Sequence, residues 1–167
     1  MIFRIPSSKH YARPWRLGFW WNRRSFTWWV KFNESCRYDL QSDDQLDTNK
    51  LCGVGYLFGG HHIDSTRFGW RYNKEADVVE LMVYCYVNKE RIIKPLATCD
   101  INKGYELKLH TSDGIYSFSV SEVGRNTYAG YATVRYKHRK NLQYGLWPYF
   151  GGNQKAPHEI TIQLSEL

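Results

Sequence analysis

The side chains able to take part in catalysis include two histidines, two arginines and one tyrosine: His61, His62, Arg67, Arg71 and Tyr149. An imidazole or a phenol can donate or accept a proton. A guanidinium binds a carboxylate through two parallel hydrogen bonds. These five residues are therefore the candidates for catalysis. A polar loop is the alternative interpretation of the histidine pair.

Aromatic rings are the second candidate feature, since 7 Trp, 13 Tyr and 8 Phe make up 17% of the chain. Between Val78 and Asn88 apolar residues alternate with Glu80, Met82, Tyr84 and Tyr86, which share the other face of a strand. Exposed Trp and Tyr rings suit sugar faces and protein interfaces alike. The ligand-binding candidates are Trp70, Arg71, Tyr84, Tyr86, Trp147 and Tyr149.

Consecutive tryptophans add to this surface. Trp20-Trp21 and Trp28-Trp29 must each send one ring to each face of a sheet, because neighbouring side chains of a strand alternate. Unless both faces are covered, some of these rings lie at the surface or at a subunit contact. Core packing or edge covering is the alternative role of any single ring.

A metal site is a weaker expectation. Asp43, Asp44 and Asp47 lie in an oxygen-rich loop that could hold a structural Ca²⁺, although their spacing is not that of an EF-hand and a solvated acidic loop is the alternative. No other cofactor is expected. The four cysteines show no CxxC spacing, which argues against zinc and favours reduced, buried thiols.

The elements that must position these residues are β-strands. Gly, Asn and Asp recur between short segments rich in β-branched and aromatic residues, and no helical period extends over eleven residues. The pattern predicts an all-β, two-sheet antiparallel β-sandwich (jelly roll) of 10–12 strands with little or no helix. We expect an N-terminal strand or edge segment, 1–25, packed on a jelly-roll domain, 26–167.

Charge and hydropathy exclude several classes of protein. The chain of 167 residues has a net charge of +7, but its dense basic patches, Arg23-Arg24 and residues 137–140, are too short for a nucleic-acid footprint. No apolar run is long enough to span a membrane, and no signal peptide is seen. Cytoplasmic synthesis is expected, with later release or association with a virion left open.

Three stretches together resemble the concanavalin A-like lectin/glucanase jelly rolls. These are Val79–Arg91, Gly104–Leu109 with Tyr116–Val120, and the tail Trp147–Ile162, which is similar to the last turn and closing strand of such domains. The resemblance covers residues 26–167 and implies a curved sheet that carries the binding face. It bears on fold more than on function.

Two shorter segments are similar to enzymes on this fold. Glu75-Ala76-Asp77-Val78-Val79-Glu80 resembles the Glu-x-Asp-x-x-Glu signature of laminarinase-type glucanases, with Ala76 in place of a branched residue. Tyr149–Gln154 resembles part of a segment of jelly-roll alginate lyases, but lacks its Lys and second Tyr. That resemblance implies Tyr149 with His61 or His62 as proton-transfer groups, and Arg67 and Arg71 as ligands of a uronate carboxylate.

Three functions follow from these features. The first is a non-catalytic carbohydrate-binding module that uses an aromatic and arginine-lined concave sheet. The second is a structural or assembly protein, such as a phage or virion component, with tryptophans at subunit contacts. The third is a polysaccharide lyase or glucanase-like glycoside hydrolase. The expected partner is a glycan or another subunit, including a second copy of this chain.

Overall fold

The computed structural model describes residues 1–57, 60–125, 127–136 and 141–167. The described residues form twelve β-strands and two short 3₁₀ turns, Glu34–Cys36 and Asp43–Leu46. The strands are β1 Ile2–Ile5, β2 Phe19–Trp21, β3 Ser25–Phe32, β4 Asn49–Tyr56, β5 Ser65–Asn73, β6 Val78–Val87, β7 Glu90–Asp100, β8 Gly104–Ser112, β9 Ile115–Glu122, β10 Tyr128–Arg135, β11 Leu142–Leu146 and β12 Ile160–Glu166. The predicted all-β class and strand number are confirmed.

Two antiparallel sheets of six strands pack face to face. Sheet A has the order β1-β12-β3-β8-β9-β10, and sheet B has the order β2-β11-β4-β5-β6-β7. The chain crosses repeatedly between the sheets, so strands distant in sequence become neighbours, as in a jelly roll. The segment 1–25 supplies one outermost strand to each sheet, because β1 pairs with β12 and β2 pairs with β11.

The core lies between the two sheets and is rich in aromatic rings. In β3 every second residue is buried, so Trp28 is in the core while Trp29 is only half-buried. Trp28 packs edge-on against Phe68 of β5, and Phe68 packs edge-on against Phe118 of β9. The prediction that Trp28 and Trp29 lie on opposite faces of a strand is therefore confirmed. The rings buried between the sheets account for much of the aromatic content.

All four cysteines are free thiols buried in this core. Burial raises the pKa of Cys36 to about 12 and that of Cys85 to about 11. It also raises the pKa of Cys52 and Cys99 well above the ordinary value. A thiol that stays protonated is a poor nucleophile and a poor metal ligand, so these residues act as small apolar side chains.

The sequence from Leu146 to Phe150 is rich in apolar and aromatic residues and predicts a short strand. The structure corrects this prediction, because β11 spans Leu142–Leu146 and Tyr149 makes an isolated backbone bridge to Lys50. The reason is that Gln143, a polar residue with no strand signal, is fully buried and hydrogen-bonds both backbone groups of Arg23. The predicted basic patch at 137–140 lies outside the described residues. No described helix is long and apolar enough to cross a membrane.

Candidate functional site

The strand register places a row of polar and aromatic side chains on the outer face of sheet B, the face turned away from the core. Arg67 of β5 lies opposite Tyr84 of β6, and Ser65 lies opposite Tyr86. Across the next pair, Gly53 of β4 is opposite Arg67. Residues directly opposite each other share a face, so the alternation predicted for β6 puts both tyrosines beside Arg67.

Arg67 is the central side chain of this face. It is only 5% exposed, and its guanidinium carbon lies 4.9 Å from the ring centroid of Tyr84 and 5.9 Å from that of Tyr86. Its Nε and Nη2 atoms are buried and have no hydrogen-bond partner among the described residues. Burial lowers its pKa, yet a guanidinium stays charged at neutral pH. The structure thus holds a cation whose N–H groups need an acceptor.

Glycines in β4 make room for the side chains that fold across it. A Cβ at Gly53 would lie 2.6 Å from the Cα of Arg67 and 2.9 Å from its Cγ. A Cβ at Gly55 would lie 2.5 Å from the ring of Tyr144, which extends from β11 over the same strand. The Gly-x-Gly alternation of Gly53 and Gly55 therefore lets Arg67 and Tyr144 lie flat on the sheet.

Lys50 and Tyr149 border Arg67 on one side. Their backbones exchange two hydrogen bonds, of 2.9 and 3.0 Å, and the Lys50 ammonium lies 5.9 Å from the Tyr149 ring and 4.9 Å from the Tyr84 ring. Burial, followed by the charges of Arg67 and Arg91, lowers the pKa of Lys50 from 10.5 to about 8. Cations are thus crowded together in a partly desolvated place, which favours an anion.

This pKa leads to a stability prediction. We expect the contribution of Lys50 to the free energy of unfolding to rise with pH between about 8 and 10, because the unfolded chain then holds the Lys50 proton more tightly than the folded chain. The buried cysteines act in the opposite direction, because their raised pKa values make the folded chain the tighter proton binder. The free energy of unfolding of Lys50→Met should therefore fall more steeply with pH than that of the wild type, whereas the exposed Lys155→Met should follow the wild type. Denaturant unfolding at a series of pH values measures both. A Lys50→Met variant with the pH dependence of the wild type would contradict the assignment.

The two predicted histidines lie next to this cationic centre. His61 Nδ1 is 3.3 Å from the hydroxyl of Tyr144, and the His62 ring is edge-on to Tyr86 at 5.3 Å. The two imidazole rings lie 4.4 Å apart and tilted. Burial, then Arg67, lowers the pKa of His61 and so favours its neutral form. The histidines therefore lie in a loop beside Arg67, where they are neighbours of its charge rather than ligands of one ion.

Two adjoining cavities form a groove along this face. One, of about 420 Å³, is polar and is bordered by Asp47, Lys50, His62, Tyr84, Tyr86 and Arg91. The other, of about 300 Å³, is mostly apolar and includes Trp15, Tyr144, Trp147 and Tyr149 in its wall. We call the two cavities together the groove. Its polar half suits charged groups, and its aromatic half suits the apolar face of a sugar ring.

Trp147, one of the ligand-binding candidates, lies in the wall of the aromatic half. Its indole stacks on Phe3 with ring centroids 5.6 Å apart, and the Arg16 guanidinium lies 4.7 Å above it. Its Nε1 is buried without a hydrogen-bond partner among the described residues. Tyr149 is 42% exposed and stacks on His10 at 5.3 Å. Both rings are held in place by neighbours, which reduces the entropy lost on binding.

Two other predicted ligand residues lie elsewhere. Trp70 is fully buried between the sheets, against Phe32 and Tyr38, because it follows the core parity of β5. Arg71 shares the outer face with Arg67, but its Nε donates to Glu80 at 2.6 Å. The structure thus removes Trp70 from the groove and gives Arg71 a carboxylate partner of its own.

The glucanase-like carboxylates do not gather in one cleft. Glu80 is on the outer face of β6, bound to Arg71 and Asn73. Asp77 lies in the turn between β5 and β6 at φ 53°, where it binds Arg37 and Tyr72. Hydrogen bonds from Arg37 and Tyr72 lower the pKa of Asp77 to about 2. Its role is therefore to fix the hairpin between β5 and β6.

The predicted calcium ligands do not converge either. Asp43 and Asp44 lie in the first turn of a 3₁₀ segment, while Asp47 follows it and borders the groove. In the part of the chain that the structure describes, no three His, Cys, Asp or Glu side chains stand in metal-binding proximity. Asp47 instead offsets part of the positive charge of Lys50 and Arg91.

Comparison with solved structures finds proteins of the same architecture. The chain is similar to an alginate lyase from Klebsiella pneumoniae, with TM-score 0.58 and 8% identity over 86% of this chain and 59% of that one. It is similar to alginate lyase A1-II′, with TM-score 0.58 and 12% identity over 100% and 78%. It also matches a functionally unknown protein from Saccharomyces cerevisiae, with TM-score 0.59 and 9% identity over 99% and 86%.

These similarities support the jelly-roll fold that the sequence resemblance implied. The chain spans 59% of the length of the Klebsiella enzyme. No protein-family model matches the sequence, and no curated protein matches it either. At these identities the shared architecture identifies neither a reaction nor a substrate, which must be argued from the groove itself.

Proposed function

We propose that this protein binds an acidic polysaccharide in the groove and does not cleave it. The observation that carries the proposal is Arg67, a buried guanidinium with two N–H-bearing nitrogens that lack an acceptor. Arg67 lies against Tyr84 and Tyr86, which border the polar cavity, so a carboxylate or sulfate bound in that cavity would offset the uncompensated charge.

The charges around Arg67 support an anionic ligand. Lys50 and Arg91 border the same polar cavity, and Asp47 is the single carboxylate of the six residues named for its wall. The Tyr84 hydroxyl beside Arg91 raises the pKa of Arg91, so this side chain stays charged. The net positive charge of the whole chain would further attract a polyanion.

The aromatic half of the groove supports a sugar rather than a small anion. Tyr149, which is 42% exposed, presents its ring beside the polar half, so one ligand unit can place its charge in the polar cavity while the next lies against that ring. Two of the structural neighbours are alginate lyases by name. Alginate is a polymer of uronic acids, which combine a carboxylate with a pyranose ring, and this chemistry fits the groove.

Lyase chemistry is the second candidate because His61 and Tyr144 form a hydrogen-bonded pair beside Arg67. A uronate lyase needs a cation that neutralises the carboxylate and groups that move a proton from C5 to the leaving oxygen. However, the hydrogen bond to Tyr144 already engages the Nδ1 atom of His61. We therefore favour binding, and treat turnover as a measurable alternative.

The proposal is tested by titrating the protein with uronic-acid oligosaccharides and with neutral glucan oligosaccharides of equal length. Calorimetry should detect the acidic oligomers alone, while ultraviolet absorbance should show no unsaturated product on long incubation. Growth of that absorbance would establish the lyase instead. Binding to neither oligomer would contradict a glycan function and favour the assembly role.

A further inference from the structure

Sheet B has one open edge in the part of the chain that the structure describes. The open edge is β2, and the opposite outermost strand of sheet B is β7. β7 packs against β10, where Gly130 approaches the carbonyl of Leu96 so closely that a Cβ on Gly130 would overlap it. The outermost strand β1 of sheet A exchanges two hydrogen bonds of 2.7 Å between Arg4 and Arg13. The outermost strands β1, β7 and β10 are thus covered. Among the described strands, β2 pairs with β11 alone.

The backbone groups on the open edge can be assigned from the ladder. Gly145 donates to the carbonyl of Gly18, and Asn22 donates to the carbonyl of Asn141. In an antiparallel pair the residues that bond to a given neighbour alternate. Even-numbered residues therefore bond to β11, and the N–H and C=O groups of Leu17, Phe19 and Trp21 point away from it.

The same alternation exposes a stripe of large apolar side chains. Trp15, Leu17, Phe19 and Trp21 are 79%, 64%, 59% and 72% exposed. Phe19 pairs with Tyr144, so the stripe lies on the same outer face as the groove. Protein edge strands are ordinarily protected by charges, proline or bulges. The segment from Leu17 to Trp21 contains no charged residue and no proline.

We propose that this edge pairs with the same edge of a second copy, antiparallel, across a twofold axis at Gly18. Trp15 and Trp21 are equally far from Gly18 in sequence, as are Leu17 and Phe19. The axis therefore places Trp15 opposite Trp21 of the second copy and Leu17 opposite its Phe19. Leu17 and Phe19 both have backbone groups that face the edge, as antiparallel pairing requires, and continued pairing along the chain would bring Trp15 to Trp21 of the second copy.

The exposed area is sufficient for a reversible dimer. Three rings and one leucine at these exposures amount to about 500 Å² per copy. Burying both copies removes about 1,000 Å², the lower bound for a specific interface. The pairing would join two copies of sheet B with both grooves on one side, and Trp15, which borders the aromatic half of the groove, would lie where the two copies meet. A polymer could then contact two binding sites at once.

Sedimentation equilibrium over a concentration series tests the pairing. The wild-type mass should rise from one chain toward two. Phe19→Pro should raise the dissociation constant at least about tenfold, because it deletes an edge N–H while the hydrogen bonds of Gly18 and Trp20 to β11 remain. Tyr131→Ser, which removes a 63% exposed ring from β10, should dimerise like the wild type.

The register is tested by two charged variants, Trp15→Glu and Trp21→Lys. Each alone should be monomeric, whereas an equimolar mixture should dimerise because the new Glu and Lys face each other across the axis. A monomeric wild type, or a Phe19→Pro variant that dimerises normally, would overturn the proposal. A mixture that stays monomeric would refute the axis at Gly18. Folding of each variant is checked by thermal unfolding.

Discussion

Arg67→Met is expected to weaken binding of the acidic oligosaccharide by about 100-fold and to stabilise the protein in the same step. Loss of a buried, charge-assisted contact costs about 2–5 kcal/mol of binding free energy. In the unliganded chain the guanidinium is 5% exposed and has two nitrogens without acceptors. Its contacts with Tyr84 and Tyr86 offset that cost only in part.

Methionine is the informative replacement because it fills similar volume without charge. The unfolding free energy should increase by about 1–2 kcal/mol, which raises the melting temperature by a few degrees. Arg4→Met is the control, since it removes one positive charge at a 62% exposed side chain that pairs with Glu159. Binding that survives in Arg67→Met would reject Arg67 as the anion ligand, whatever the change in stability.

Gly53→Ala is expected to destabilise the protein by about 3 kcal/mol or more. Its φ of 154° is a conformation that other residues rarely adopt, and its Cβ would overlap backbone atoms of both Thr66 and Arg67. A flexible side chain could move aside, but here β4 and β5 would have to separate at the centre of sheet B. Denaturant unfolding measures the loss.

Gly124→Ala separates the two causes. Gly124 also has a positive φ, 87°, but nothing lies within 4 Å of the position its Cβ would take. The free energy of unfolding of Gly124→Ala should fall by only about 1 kcal/mol, because of backbone strain. Gly55→Ala should also be tolerated, because the nearest atoms belong to the movable ring of Tyr144. Equal losses in all three variants would show that contact with Arg67 and Thr66 is unimportant.

Strand parity was the part of the fold most accessible from sequence. The run from Val78 to Val87 alternates so regularly that its buried face and its Tyr84 and Tyr86 face follow directly. The same parity in β5 groups Trp70 with Phe68 and Tyr72, on the side opposite Arg67 and Arg71. The alternation of side chains along β5 is therefore sufficient to assign Trp70 to the core, although an indole ring also suits a ligand site.

The order of the strands across each sheet could not be predicted from this alternation. Lys50, Arg91 and Tyr144 reach the groove from strands β4, β7 and β11, and no local pattern specifies which strands become neighbours. The strand order depends on long-range pairing, which a single sequence encodes weakly. The glycines at 53 and 55 were a usable signal, because two glycines on one face of a strand indicate that neighbouring side chains fold over it.

The four buried thiols make the protein convenient for fluorescence experiments. Because each cysteine is in the core, a dye that reacts with thiolates finds no ready target on the native surface. One cysteine introduced at exposed Asn153, which borders the polar cavity, would then be the single labelling position. The native cysteines, and the packing they provide, can stay as they are. An environment-sensitive dye there would report occupancy of the groove directly, one molecule at a time.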